Sequence, residues 1–151
     1  MEPRTEDAAA GTPSDSSGRL LAIDLGAKRV GVAVSDELRI TVKVLPAVER
    51  RSWKDFLRRI VALVDRYEAR GLVIGLPLRL DGVEGEAAQE ARSVADKFQR
   101  SLDIPVYLQD ERLTTFEAGA DLRSAARSEH EIEAAVDSES AALILRDFIV
   151  K

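Results

Sequence analysis

Between Leu20 and Val48 the apolar residues come in three strand-length runs, RLLAID, VGVAVS and ITVKVLPAV, with no helical stretch between them. From Ser52 onward the spacing alternates between helix and strand. Runs joined by short turns pair as an antiparallel meander, whereas strands separated by a helix return parallel. The order of periods therefore predicts an α/β fold. Its mixed five-stranded sheet combines a three-strand antiparallel meander with two parallel strands, and helices cover both faces.

Within that frame, Gly26 makes the first turn, and Pro46 is expected to end the third strand. SWKDFLRRIVALVDRYEAR places Trp53, Phe56, Leu57, Ile60, Val64 and Tyr67 at helical spacing, with Ser52 to Asp55 resembling a capping box and Trp53 expected in the core. GLVIGLP is too short for a helix and reads as a strand covered on both faces. EAAQEARSVADKFQRSL is a second amphipathic helix and IPVYLQ the last strand. Thr114 to Glu117 has capping-box spacing for a further helix, and AAVDSESAALILRDFIV forms a terminal helix that opens at Asp137.

The chain has 151 residues, 45% of them hydrophobic, enough for one domain with a real core. MEPRTEDAAAGTPSDSSG, residues 1–18, reads as a disordered tail and leaves 19–151 as the folded domain. The absence of cysteine excludes disulfides and thiolate metal sites and suits a reducing cytoplasm. No apolar run approaches the roughly 20 residues of a membrane helix. Net charge is −5, which at face value argues against a nucleic-acid partner. The tail, with Glu2, Glu6, Asp7 and Asp15 against Arg4, carries −3 of it. A nearly neutral body can present a local basic face. The interval from Arg50 to Arg70 is one candidate, although it reads first as a solvated helix face laced with ion pairs.

Chemistry is suggested by carboxylates at the ends of distant elements. Asp24 closes the first strand, Asp110 and Glu111 close the last, and Asp137 opens the terminal helix. Parallel strands finish at one edge of the sheet, where sites on open α/β sheets form. Clustered acids raise one another's pKa unless a cation sits between them. Mg²⁺ takes hard oxygen ligands, and a pair of ions about 3.5–4 Å apart activates water and steadies a leaving phosphodiester oxygen. The single histidine, His130, reads as a surface residue and nearly excludes a histidine triad or zinc cluster. Taken one at a time, Asp24 reads first as a turn residue, Asp110 or Glu111 as a solvated strand end, and Asp137 as a helix cap, and only their convergence points to chemistry. Lys28 and Arg29 either screen the acids and hold a phosphate or face water.

The segments AIDLGAKRVGVAVSD, VIGLPLRLDGVEG, VYLQDERLTTFEA and VDSESAALILRDF together resemble, in order and spacing, the YqgF/RuvX family. Its members are Holliday-junction-resolvase-like proteins, also described as nucleases for the precursor of small-subunit ribosomal RNA. The resemblance implies a ribonuclease-H-like fold and a metal-dependent nuclease centre using Mg²⁺ or Mn²⁺. By motif, Asp24 is implied as the bridging ligand, Glu111 as the second and Asp137 as the terminal-helix acid. Asp110 stands in reserve, because a one-residue register shift exchanges its face with that of Glu111. Arg29, Arg112, Thr114 and Thr115, with Lys28, are implied near the nucleic acid.

Gly75, Pro77, Asp81, Gly82 and Gly85 match a family loop and read first as backbone geometry. Where many members are basic before the terminal acid, this chain has Glu129, Glu131 and Glu133, an acidic loop expected to weaken phosphate binding. The implied activity is a cytoplasmic endonuclease acting on ribosomal RNA precursor, as monomer or homodimer, with no membrane partner. A branched-DNA resolvase and a non-catalytic nucleic-acid-binding factor are the alternatives.

Overall fold

A computed structural model of the protein describes residues 17–78, 81–111 and 129–150. The three early runs form β1 (Leu20–Leu25), β2 (Arg29–Ser35) and β3 (Val42–Glu49). After α1 (Trp53–Tyr67) come β4 (Gly71–Leu76), α2 (Glu86–Ser101) and β5 (Val106–Asp110), and the described chain closes with α3 (Glu129–Ile149). The sheet order is β3-β2-β1-β4-β5. β1–β2 and β2–β3 pair antiparallel, and β1–β4 and β4–β5 pair parallel. This is the expected meander with two parallel strands added.

Alternation along the strands divides the core into two layers. Leu21, Ile23, Leu72 and Ile74 pack with Phe56, Ile60 and Phe98 of α1 and α2. Leu20, Ala22, Val73 and Tyr107 pack on the other face with Ala141, Ile144, Leu145 and Phe148 of α3. β4 is buried throughout, as its unbroken apolar run requires. Trp53 sits at the margin of the first layer, its ring centroid 5.0 Å from that of Phe98, with Lys97 Nζ over the Trp53 ring at 5.0 Å.

Ser52 caps α1, its Oγ accepting the Asp55 N–H at 3.2 Å. The basic interval is laced with ion pairs: Arg58 and Arg59 share Asp55, Arg51 meets Glu49, and Arg50 meets Glu90 on α2.

Two boundaries differ from the expectation. Pro46 does not end the third strand but lies inside β3. Val30 pairs with Val48 and Val32 with Leu45, so Gly31 alone faces both Pro46 and Ala47. This is a β-bulge on the edge strand, a place where proline is tolerated. Ser138 of α3 fits against it, its hydroxyl donating to Leu45 O at 2.6 Å and accepting the Val32 N–H at 3.5 Å.

The terminal helix already includes Glu129, the first residue described after Glu111, so Asp137 is interior to the helix and not its cap. The stretch EHEIEAAVD contains no glycine or proline, and its alanines and glutamates are strong helix formers. The acidic segment with Glu129, Glu131 and Glu133 is therefore helix, not loop. The helix expected from Thr114 lies outside the described residues, as do residues 1–16.

Candidate active site

β1, β4 and β5 run parallel, so their carboxyl ends meet at one edge. Strand alternation decides which side chains share a face there. Asp24 continues the row of Leu20 and Ala22, and Gly75 the row of Val73, both toward α3. On β5 Tyr107 faces α3, whereas Val106 and Leu108 belong to the opposite layer. Asp110 follows Leu108 in that alternation. Glu111, just past the strand, is held by its N–H bond to Leu76 O at 3.2 Å.

The carboxylate of Glu111 reaches back over Gly75. A Cβ at Gly75 would lie 2.9 Å from Glu111 Oε1 and 2.5 Å from Ile144 Cδ1, so this glycine is required by close approach, not by a positive φ. Across that gap Glu111 hydrogen-bonds Asp24. Burial pushes the Glu111 carboxyl up to about 9, aided by the Asp24 charge, by the hydrogen bond between the two acids and by the Asp110 charge. At neutral pH Glu111 thus holds a proton that Asp24 accepts. Its Oε1, like Oε1 of the neighbouring Gln109, is buried without a hydrogen-bond partner among the described residues.

Two carboxylates in contact, with a buried oxygen left unpaired, form a hard-oxygen donor set that fits Mg²⁺ or Mn²⁺. Among the described residues there is no group of three such ligands. The remaining acid, Asp137, lies in the third turn of α3, and its side chain is outside the described residues. Arg112, Thr114 and Thr115 are outside them as well.

The basic members sit on the β1–β2 turn. Lys28 is exposed at its tip, and Arg29, half-buried, opens β2. Gly26 N–H bonds Arg29 O at 3.0 Å to close the turn. Arg50 braces it from outside, donating to Gly26 O at 2.9 Å while its own N–H bonds Lys28 O at 2.8 Å. Gly82, at φ +86°, and Asp81, whose Oδ1 accepts the Val83 N–H at 2.9 Å, give the loop before α2 the backbone role read for it.

Sequence reasoning missed Arg50, Ser138 and the true reason for Gly75. A glycine within an aliphatic strand was the available signal for the last. Gly75→Ala is expected to cost about 1–3 kcal/mol in urea unfolding. It should also displace Glu111, reducing any cleavage more than that stability loss explains.

A relative from Anaeromyxobacter sp. (strain K), provisionally named a pre-16S rRNA nuclease, is 41% identical over 131 residues, covering 87% of this chain and 96% of the relative. One of the same name from Koribacter versatilis is 39% identical, covering 91% and 90%. The solved Holliday junction resolvase of Fowlpox virus shares the fold, with a TM-score of 0.51 at 13% identity over 87% of this chain and 98% of that one. The RuvX model, described as Holliday junction resolvase, matches residues 18–151, and the chain therefore belongs to the RuvX family of nucleases.

Proposed function

We propose that this chain is an endonuclease that hydrolyses phosphodiester bonds of RNA, with the precursor of small-subunit ribosomal RNA as its substrate. Residues 19–151 form the nuclease domain in this reading. The observation that carries it is the buried contact between Asp24 and Glu111 in a chain 41% identical to a relative named for that activity.

Asp24 and Glu111, with Asp137 from α3, would hold Mg²⁺ or Mn²⁺. When bound, such an ion supplies Lewis-acid activation of water and offsets phosphate charge. The chain's own residues prepare the site. Glu111 holds a proton in the absence of the ion and would give it up on loading, leaving both carboxylates anionic. Gly75 keeps the space between β1 and β5 clear, and the apolar layer of Ala141 and Ile144 excludes bulk water behind it. Lys28 and Arg29 attract the phosphate backbone, with Arg112, Thr114 and Thr115 as further contacts. Asp110 acts through its charge on Glu111 and not as a ligand. No described helix is long and apolar enough to cross a membrane.

A single experiment tests the substrate. Purified protein with Mn²⁺ is offered a precursor ribosomal RNA fragment, a linear duplex and a four-way DNA junction at equal concentration. Preferential cutting of the RNA is expected. Symmetric cleavage of the junction by a homodimer, with the RNA intact, would make the protein a resolvase instead. RNA binding without any cutting would make it a non-catalytic factor.

A further inference from the structure

We propose that Ser138 is a positioning residue for Asp137, setting where that part of α3 lies on the sheet by filling the β2–β3 bulge. The inference rests on the reading of Asp137 as the third carboxylate.

A bulge interrupts the strand ladder and leaves backbone groups in need of partners. Here the Val32 N–H and Leu45 C=O flank it, and both meet the Ser138 hydroxyl. One donor and one acceptor match what a hydroxyl offers. Ser138 is only 5% exposed, so the bonds are shielded from water. The bulge also lies in the cross-strand row of the proposed centre: Asp24 pairs with Gly31, and Gly31 is the residue that faces Pro46 and Ala47. The anchor at Val32 is therefore one residue from the partner of Asp24.

Apolar contact cannot by itself fix the height or rotation of a helix, because it has little directionality. The large α3 residues that pack on the sheet, Ile144, Leu145 and Phe148, all follow Ser138. A hydroxyl bonded to two fixed backbone groups supplies a directional constraint at the end where Asp137 stands. Sequence neighbours along a rigid helix share that constraint. Ser138 touches no reacting atom in this scheme; it acts through the helix.

The test compares Ser138→Ala, Ser138→Thr, Phe148→Leu and Asp137→Asn with the parent chain, measuring kcat, KM, urea stability and the hydrogen exchange of the Val32 amide. Ser138→Ala is expected to lower kcat on the order of 10- to 100-fold with KM unchanged. Exchange at Val32 should accelerate. Ser138→Thr, which keeps the hydroxyl but crowds a buried site, should recover kcat and Val32 protection while remaining less stable than the parent. Phe148→Leu, at the far end of α3, should lose stability and keep kcat.

If kcat instead follows stability across the set, or if Ser138→Ala cleaves like the parent while Asp137→Asn is inactive, the positioning role is wrong. If Asp137→Asn itself cleaves normally, the active-site reading fails and this inference with it.

Discussion

Asp24→Asn is expected to slow RNA cleavage about 10³-fold or more, equivalent to about 4 kcal/mol of lost transition-state stabilisation. The substitution keeps the size and shape of the side chain and removes only its charge. The β1 ladder is unaffected, since Ala22 and Ile23 pair with both neighbouring strands, and Asp24 with Gly31, through the backbone. Folding is therefore preserved, and the loss is chemical. Removing the charge also removes one cause of the raised Glu111 pKa. The metal-free variant should consequently be at least as stable as the parent at pH 8, even as it loses activity. Paired measurement of single-turnover cleavage and urea midpoint separates the two effects. Activity within a few-fold of the parent would remove Asp24 from the centre.

The second large effect concerns pH. Glu111 is raised from 4.5 to about 9 in the folded protein, so the native state binds more protons than the unfolded state between those values. Stability contributed by that proton is complete below the unfolded value and is lost as pH rises toward about 9. The slope is at most about 1.4 kcal/mol per pH unit. Metal-free protein should grow less stable from pH 5 to pH 9, and Glu111→Gln should abolish that decline.

Cation binding runs the other way. A cation that must displace the proton gains about tenfold in affinity for each pH unit up to about 9. Calorimetry of Mn²⁺ binding in buffers of differing ionisation enthalpy should register release of about one proton at pH 7. A pH-independent affinity, with no proton released, would show that Glu111 is already ionised before loading.

Much of this architecture is legible in the chain because local and tertiary signals agree. The alternation of RLLAID and VGVAVS, and the unbroken GLVIGLP, report burial directly, and burial is what sheet order expresses. The choice between Asp110 and Glu111 is not legible in that way. It depends on strand parity at a terminus, where a shift of one residue exchanges faces. Burial and strand position now place Glu111 against Asp24.

That α3 extends upstream of Asp137 is hidden for a related reason. An aspartate before an apolar run looks like a cap, while the helix-favouring residues upstream carry too little apolar periodicity to announce themselves. Ser138 could not have been found from sequence, because its partners are backbone atoms of a bulge created by the pairing of two other strands.

That irregularity has a consequence for how copies of the protein meet one another. β3 is an outer strand, and outer strands invite another chain to add on and extend the sheet. Exposed Pro46 offers no amide hydrogen, the kink interrupts a straight docking line, and exposed Lys43 places charge along the rim. The rim thus gives an incoming strand few backbone groups to grip, and the same deformity is the socket into which α3 of the same chain is keyed.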